Sequence, residues 1–245
     1  MISDDLRKLA EFIPKGSIVI LHVGLRGLYD NSDGYSHQAL TFLDDIRTHI
    51  APTEIYVPTF TYDFTKSKIF DVQDSPAVVG RFSDEIRRSF ASCGKRSLDP
   101  IFSIVETENV RSIDSNLVTN AFEGNSIWHY LDGIRHYILN INIPESIIST
   151  QLHHLEYTQH VPYRHNKIFE GEVIDLFKKK FDIKYEYFVR DLNKDLKWNR
   201  KKIADLARCS GGLIETGTIR SFDWQVLKTA LLRELSQDIN YLVRK

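Results

Sequence analysis

In Thr150-Gln151-Leu152-His153-His154-Leu155-Glu156, a base that titrates near neutral pH stands three residues ahead of a carboxylate. If the segment is helical, His153 and Glu156 share one face at i and i+3, within side-chain reach. A carboxylate on one ring nitrogen of histidine orients the imidazole and stabilises its charged form. The chemistry this pair suits is removal of a proton from a nucleophile. A second candidate carboxylate, Asp99, stands in Arg96-Ser97-Leu98-Asp99-Pro100, a short polar turn between apolar segments. In a partly desolvated cleft its pKa would rise, making it a competing base and an attractor for an ammonium group. An Asp before proline is equally ordinary turn chemistry.

Such groups need a scaffold to aim them. Residues 6–12 carry an amphipathic helical pattern, closed by the turn Pro14-Lys15-Gly16. The β-branched run at 17–23 predicts a buried strand, and 24–34, rich in glycine, aspartate and asparagine, a loop. Ala39, Leu40, Phe42, Leu43, Ile46 and Ile50 recur at helical spacing and predict a helix over 36–50, before a second strand at 54–58. Strand, glycine-bearing loop, helix, strand is a βαβ unit, which argues for ligand sites at strand C-terminal ends. Further on, 84–90 and 126–131 predict helices, 137–143 a strand and 157–164 an extended or looped stretch. Alternation at 173–177 and 185–189 predicts a late antiparallel hairpin or meander, and 197–207 and 224–235 the closing helices. The expected fold class is α/β: one layered α/β/α domain over 1–245, with a mixed β-sheet and a late antiparallel portion.

The balance of 32 basic and 33 acidic residues, net charge -1, gives no reason to expect nucleic acid or an anionic membrane as partner. The run Lys178-Lys179-Lys180 reads as a solvated surface. Cys93 and Cys209 are too few for a disulfide scaffold and form no C-x-x-C pair. The N-terminus is acidic, and no apolar run approaches the roughly 18 residues of a membrane span. A cytoplasmic, soluble protein is expected, without membrane insertion; its tyrosine and phenylalanine content permits a homo-oligomeric interface.

A set of motifs falls in one order along the chain. These are His22-Val-Gly-Leu-Arg26, Pro58-Thr59-Phe60-Thr61, Gly80 with Glu85 and Arg87, Arg96-Ser97-x-Asp99-Pro100-x-x-Ser103, Gly124-Asn125-Ser126, and Thr150-x-x-His153-x-x-Glu156. This set resembles the aminoglycoside 3-N-acetyltransferase family, and Tyr163-Arg164 and Phe169-Glu170-Gly171 resemble its continuation. The resemblance covers roughly the first 170 residues; 172–245 carries no diagnostic motif. The antibiotic-modifying members read Arg-Ser-x-His-Pro where Asp99 stands here. That departure turns the expectation toward the branch that acylates amino sugars for surface polysaccharides.

The resemblance implies an acyl-coenzyme A donor, no metal, and an amino-sugar nucleotide as acceptor, with an aminoglycoside the runner-up. Amide formation from a thioester needs a base for the ammonium proton, donors for the oxyanion, and the two substrates held together. His153 is the first candidate base with Glu156 as its partner, and Asp99 the second. For the donor, His22 and Arg26 in the loop after the first strand are expected to meet the coenzyme A diphosphate, joined by Thr59. Ser97 and Ser103 are candidate donors to the thioester carbonyl or pantetheine arm. Ser126, Tyr163 and Arg164 are candidate acceptor contacts. Cys93 has no matched histidine beside it, so direct transfer is preferred to an acyl-enzyme route.

Two rival classes remain. His153, His154, Glu156, His160 and His165 form a histidine-rich cluster suited to a metal-dependent hydrolase, although H-E-x-x-H is absent and adjacent helical histidines diverge. A non-catalytic coenzyme A or sugar-binding protein on the same scaffold is the other.

Overall fold

The computed structural model describes residues 2–29, 34–108, 116–143 and 150–244. In chain order the elements are α1 (Ile2–Leu9), β1 (Ile18–Val23), α2 (Tyr35–Ile50), β2 (Glu54–Pro58), α3 (Phe64–Ser67), β3 (Ile69–Asp71), α4 (Arg81–Phe90), β4 (Ile104–Glu106), α5 (Ile127–Asp132) and β5 (His136–Ile141). They continue as α6 (Thr150–Thr158), β6 (Arg164–Ile174), β7 (Lys180–Arg190), β8 (Lys197–Trp198), α7 (Arg200–Cys209), β9 (Leu213–Thr216), β10 (Ile219–Asp223), α8 (Trp224–Gln237) and β11 (Val243–Arg244).

A mixed six-stranded sheet runs in the order β4-β2-β1-β5-β10-β9. β1 pairs in parallel with both β2 and β5, whereas β4, β10 and β9 join antiparallel. The strand order reverses about β1, so the C-terminal ends of β1, β2 and β5 frame a crevice of the kind that holds ligands in open α/β sheets. Alternation along the strands divides the core. Val19, Leu21, Leu139 and Ile141 face one way, onto Leu6 and Leu9 of α1, Phe42, Leu43 and Ile46 of α2, and Phe82 and Ile86 of α4. On the other face Ile138 and Phe222 pack on α6, α7 and α8, and Ile20 on α5 and the aromatic residues around Phe102. The helix–sheet–helix layering is the expected α/β architecture.

A separate three-stranded sheet, β3-β6-β7, carries the antiparallel portion. β6 and β7 pair along their full 11 residues, from Arg164↔Arg190 to Ile174↔Lys180. β3 docks so closely on β6 that a Cβ at Gly171 would lie 2.8 Å from the Phe64 ring and collide with the Lys68 carbonyl. Only glycine fits there. At the opposite edge of the molecule, Asp5 of α1 accepts the Thr218 amide at 3.0 Å and its hydroxyl at 3.1 Å, in the β9–β10 turn where Gly217 has φ +52°.

Several elements differ from expectation. The first helix begins at Ile2 and ends at Leu9, leaving Phe12 56% exposed. Of the stretch 157–164, expected as extended or looped, Tyr157 and Thr158 end α6, 159–163 is a loop and Arg164 opens β6. Of the expected strand at 173–177 only Val173 and Ile174 are strand, the tail of a much longer β6. Lys197–Trp198 is a short strand outside the helix, which starts at Arg200 behind the Asn199 cap. β3, β4, β9 and β10 were not expected: two span three residues, and in the other pair Glu215, Arg220 and Ser221 interrupt the apolar residues. Of the expected loop at 24–34, residues 30–33 lie outside the described residues.

Candidate active site

Leu152 and Leu155 of α6 are buried against Ile138 and Phe222 of the sheet. That anchoring turns His153 and Glu156 to the other side of the helix. His153 Nδ1 lies 2.9 Å from Glu156 Oε2, the i,i+3 contact expected from the spacing. Two further groups close on the same carboxylate. Arg164, the first residue of β6, places Nε 2.7 Å from Oε2, and Trp198 of β8 donates Nε1–H to Oε1 at 2.8 Å. Pairing of Trp198 with Val243 of β11 fixes that indole, whose ring centroid lies 4.7 Å from the imidazole.

Glu156 is fully buried, whereas a quarter of the His153 side chain is exposed. Burial alone would raise the carboxyl pKa of Glu156. The hydrogen bond and charge of His153, the Arg164 cation and the Trp198 donor outweigh it and hold the group below its ordinary value. Burial and the Arg164 charge lower the His153 pKa, with Glu156 pulling partly the other way. At neutral pH the pair is an imidazole beside a carboxylate. A carboxylate only accepts, so Nδ1 carries the ring proton and Nε2 keeps a free lone pair. This is the electronic state of a general base.

Asp99 lies one layer behind. Its Oδ1 accepts from the amides of Ile101 and Phe102 at 3.0 and 2.7 Å and from the Tyr185 hydroxyl at 2.9 Å. The residue is 1% exposed, and burial lifts its pKa to about 6 despite those donors. Phe102 connects the two carboxylate regions: its amide holds Asp99, and its ring centroid lies 6.3 Å from that of His153. The loop therefore presents an aromatic ring to the base and keeps its carboxyl inside.

The hydroxyls around this loop are consumed by the fold. Arg96 is 2% exposed and is held by Thr59 and Ser103 oxygens and by the carbonyls of Val72, Ser75 and Thr59. Ser103 donates to Thr59 O at 2.6 Å, and Ser97 Oγ accepts from Ile104 N at 3.0 Å. Thr59, Ser97 and Ser103, expected at the donor, anchor a buried guanidinium and the Asp99 turn. Ser126, expected at the acceptor, caps α5 by accepting from Trp128 N at 3.1 Å and donates to Ala121 O. Tyr163 is 2% exposed, with its hydroxyl pKa raised by burial and by the Glu156 charge, so it backs the dyad from the core. Arg164 is brought into the site, as a partner of Glu156 that also lines the cleft.

His22 and Arg26 stand apart from this group, at the end of β1. The loop there bonds inward: Gly24 N donates to Ile141 O, and the Asn142 side chain donates to the carbonyls of Gly24 and Arg26 at 3.0 and 2.8 Å. The Arg26 side chain is exposed. His22 Nε2 is buried without a partner, and burial lowers the imidazole to about 4. His154 turns away from His153, toward Asp132 at 3.5 Å, so the adjacent histidines do not converge.

His153 opens into a cleft of about 1340 Å³ walled by β6, β7, β8, α7, β9, β10 and β11. Small-ligand sites run to roughly 300–1,000 Å³, so this one has room for a large ligand or two together. Its acidic lining residues are Asp191, Asp205 and Glu215, outnumbered by arginines and lysines. Among the described residues no three His, Cys, Asp or Glu side chains group as metal ligands, and no helix is long and apolar enough to cross a membrane. Trp198, Tyr187 and Tyr185 were missed from the sequence, although Asn199, a helix-capping residue, was a signal that Trp198 precedes the helix.

Neither protein-family models nor curated proteins match this chain. Solved structures do match its fold. Aminoglycoside acetyltransferase AAC(3)-IVa, in complex with a gentamicin, superposes with a TM-score of 0.74 at 16% identity, over 99% of this chain and 91% of that one. AAC(3)-IIb gives 0.74 at 17% identity, over 97% and 96%. The YokD protein from Bacillus subtilis gives 0.68 at 15%, over 97% and 99%. The chain has the fold of these solved structures.

Proposed function

We propose that this protein is an acyl-coenzyme A-dependent N-acyltransferase whose acceptor is the amine of a nucleotide-linked amino-deoxy sugar. The observation that carries the reading is the buried Glu156 carboxylate holding His153 with one nitrogen free at the mouth of a large cleft. The fold likeness to acetyltransferases and the ordered motifs support the same reaction class. Coenzyme A supplies the activated acyl group as its thioester.

The acceptor's ammonium first loses one proton to solvent, and His153 Nε2 takes a second as the freed amine nitrogen bonds to the thioester carbon. Glu156 stabilises the resulting imidazolium, and Arg164 and Trp198 keep that carboxylate ionised and aimed. The thiolate leaves as the carbonyl re-forms, and the imidazolium can return its proton to it. A positioned base of this kind contributes about 10²–10⁴-fold.

The cleft's excess of basic side chains favours an acceptor bearing phosphate over a polycationic aminoglycoside. Asp99, where the antibiotic-modifying members carry histidine, agrees with that preference. The test is a matrix of acyl-coenzyme A donors against amino-sugar nucleotides and aminoglycosides, followed by thiol release and product mass. Acylation of a nucleotide sugar, abolished in His153→Ala, is expected. Turnover restricted to aminoglycosides would overturn the acceptor assignment, and no transfer to any amine would overturn the reaction.

A further inference from the structure

One end of the cleft gathers Arg190 from β7, Lys197 from β8, Arg200 and Lys201 from α7, and Arg244 from β11. Their arrangement is unfavourable by itself. Lys197 and Arg244 stand directly opposite one another in the β8–β11 ladder, where like charges weaken pairing. Arg200 and Lys201 sit in a helical first turn that holds no acidic residue, the end where a helix disfavours cations. Among the described residues, Lys197, Lys201 and Arg244 form no ion pair. The other end of the cleft is neutralised: Arg208 and Arg220 reach Glu215 at 3.2 and 3.1 Å. An anion among Lys197, Lys201 and Arg244 would convert their repulsion into charge-assisted hydrogen bonds.

We propose that Lys197, Arg244 and Lys201, with Arg190 and Arg200, form a subsite for the diphosphate of a substrate. Its position suits a reactive group delivered to the base. Lys197 and Trp198 both line the cleft, and the Trp198 ring centroid lies 4.7 Å from that of His153, so a ligand anchored here shares the cleft with the imidazole. Neither His22 nor Arg26 lines this cleft. The subsite is thus separate from the loop after β1 that was expected to hold the donor's diphosphate. Which substrate brings the phosphates rests on the transferase reading; the anion site itself does not.

The test is calorimetry on the full chain with inorganic pyrophosphate, coenzyme A and uridine diphosphate, at low and high salt. Pyrophosphate is expected to bind, more weakly as salt rises. The Lys197→Gln/Arg244→Gln pair should weaken it by about tenfold, and Arg208→Gln by less than about twofold. Lys201→Gln, outside the ladder, covers the case in which the double variant loosens β8 and β11; it should weaken binding about threefold with the circular dichroism unchanged. Selective loss of uridine diphosphate binding assigns the subsite to the acceptor, selective loss of coenzyme A assigns it to the donor, and loss of both makes it shared. Absent pyrophosphate binding, or equal binding by wild type and all variants, overturns the proposal. Intact pyrophosphate binding with no thiol release under any donor would sink the transfer reaction and leave the anion site standing.

Discussion

Trp198 donates its indole N–H to Glu156 Oε1 at 2.8 Å, from 42 residues further along the chain. A tryptophan in a two-residue strand thus completes the set of donors around a fully buried carboxylate. Removing a donor from a buried charge costs about 1.5–3 kcal/mol, more than the loss of a neutral hydrogen bond. Trp198→Phe keeps an aromatic face against His153 and deletes the donor. Its kcat should fall about tenfold with KM little changed, and Glu156→Gln should lose about a hundredfold. Thiol-release kinetics measure both; an unimpaired Trp198→Phe enzyme would remove the indole from the machinery.

The His153 pKa lies below its ordinary 6.5, because burial and Arg164 outweigh the pull of Glu156. A general base works unprotonated, so the free-base form already dominates at pH 7 and activity should persist into mildly acid solution. The two charged neighbours act in opposite directions. Arg164→Met should raise the imidazole's titration midpoint, and Glu156→Gln should lower it. Proton NMR of the His153 ring, assigned by loss of its signals in His153→Gln, reads these shifts without turnover. Movement of both variants in the same direction would contradict the geometry.

Asp99 carries a stability signature of its own. Its folded pKa of about 6 stands above the ordinary 3.8, so the folded state binds the extra proton between those values. Its contribution is therefore fully present below about pH 4 and is lost as pH rises through about 6. Asp99→Asn keeps an oxygen for the Ile101 and Phe102 amides without the charge. It should match wild type near pH 4 and exceed it at pH 7 by on the order of 2 kcal/mol, by urea unfolding. With Phe102 between this carboxyl and His153, kcat should stay within about fivefold of wild type. A hundredfold loss in a folded variant would instead make Asp99 the base.

The dyad was legible because its information is local: i,i+3 spacing on a helix decides whether two side chains meet. The βαβ start was legible for a similar reason, since its buried strands are continuous apolar runs and α2 repeats at helical spacing. β6 was not. Exposed Lys167, Ile168 and Glu170 blur its alternation, and its pairing with β7 is a long-range event that no local period records. Thr59, Ser97 and Ser103 are harder to read for the opposite reason. Hydroxyls in a loop suit a ligand or a buried guanidinium equally well, and the packing of Arg96 against Thr59 and Ser103 is a long-range contact that no local pattern records.

The order in which the ribosome delivers these parts has a consequence. His153 and Glu156 emerge together, Arg164 a few residues later, and the indole only once β8 has cleared the exit tunnel, with its latch β11 the last described strand. A nascent chain halted before Val243 would hold the histidine and its acid but lack the strand that keeps Trp198 against them. Competence for proton transfer would therefore arrive only after the central sheet is complete.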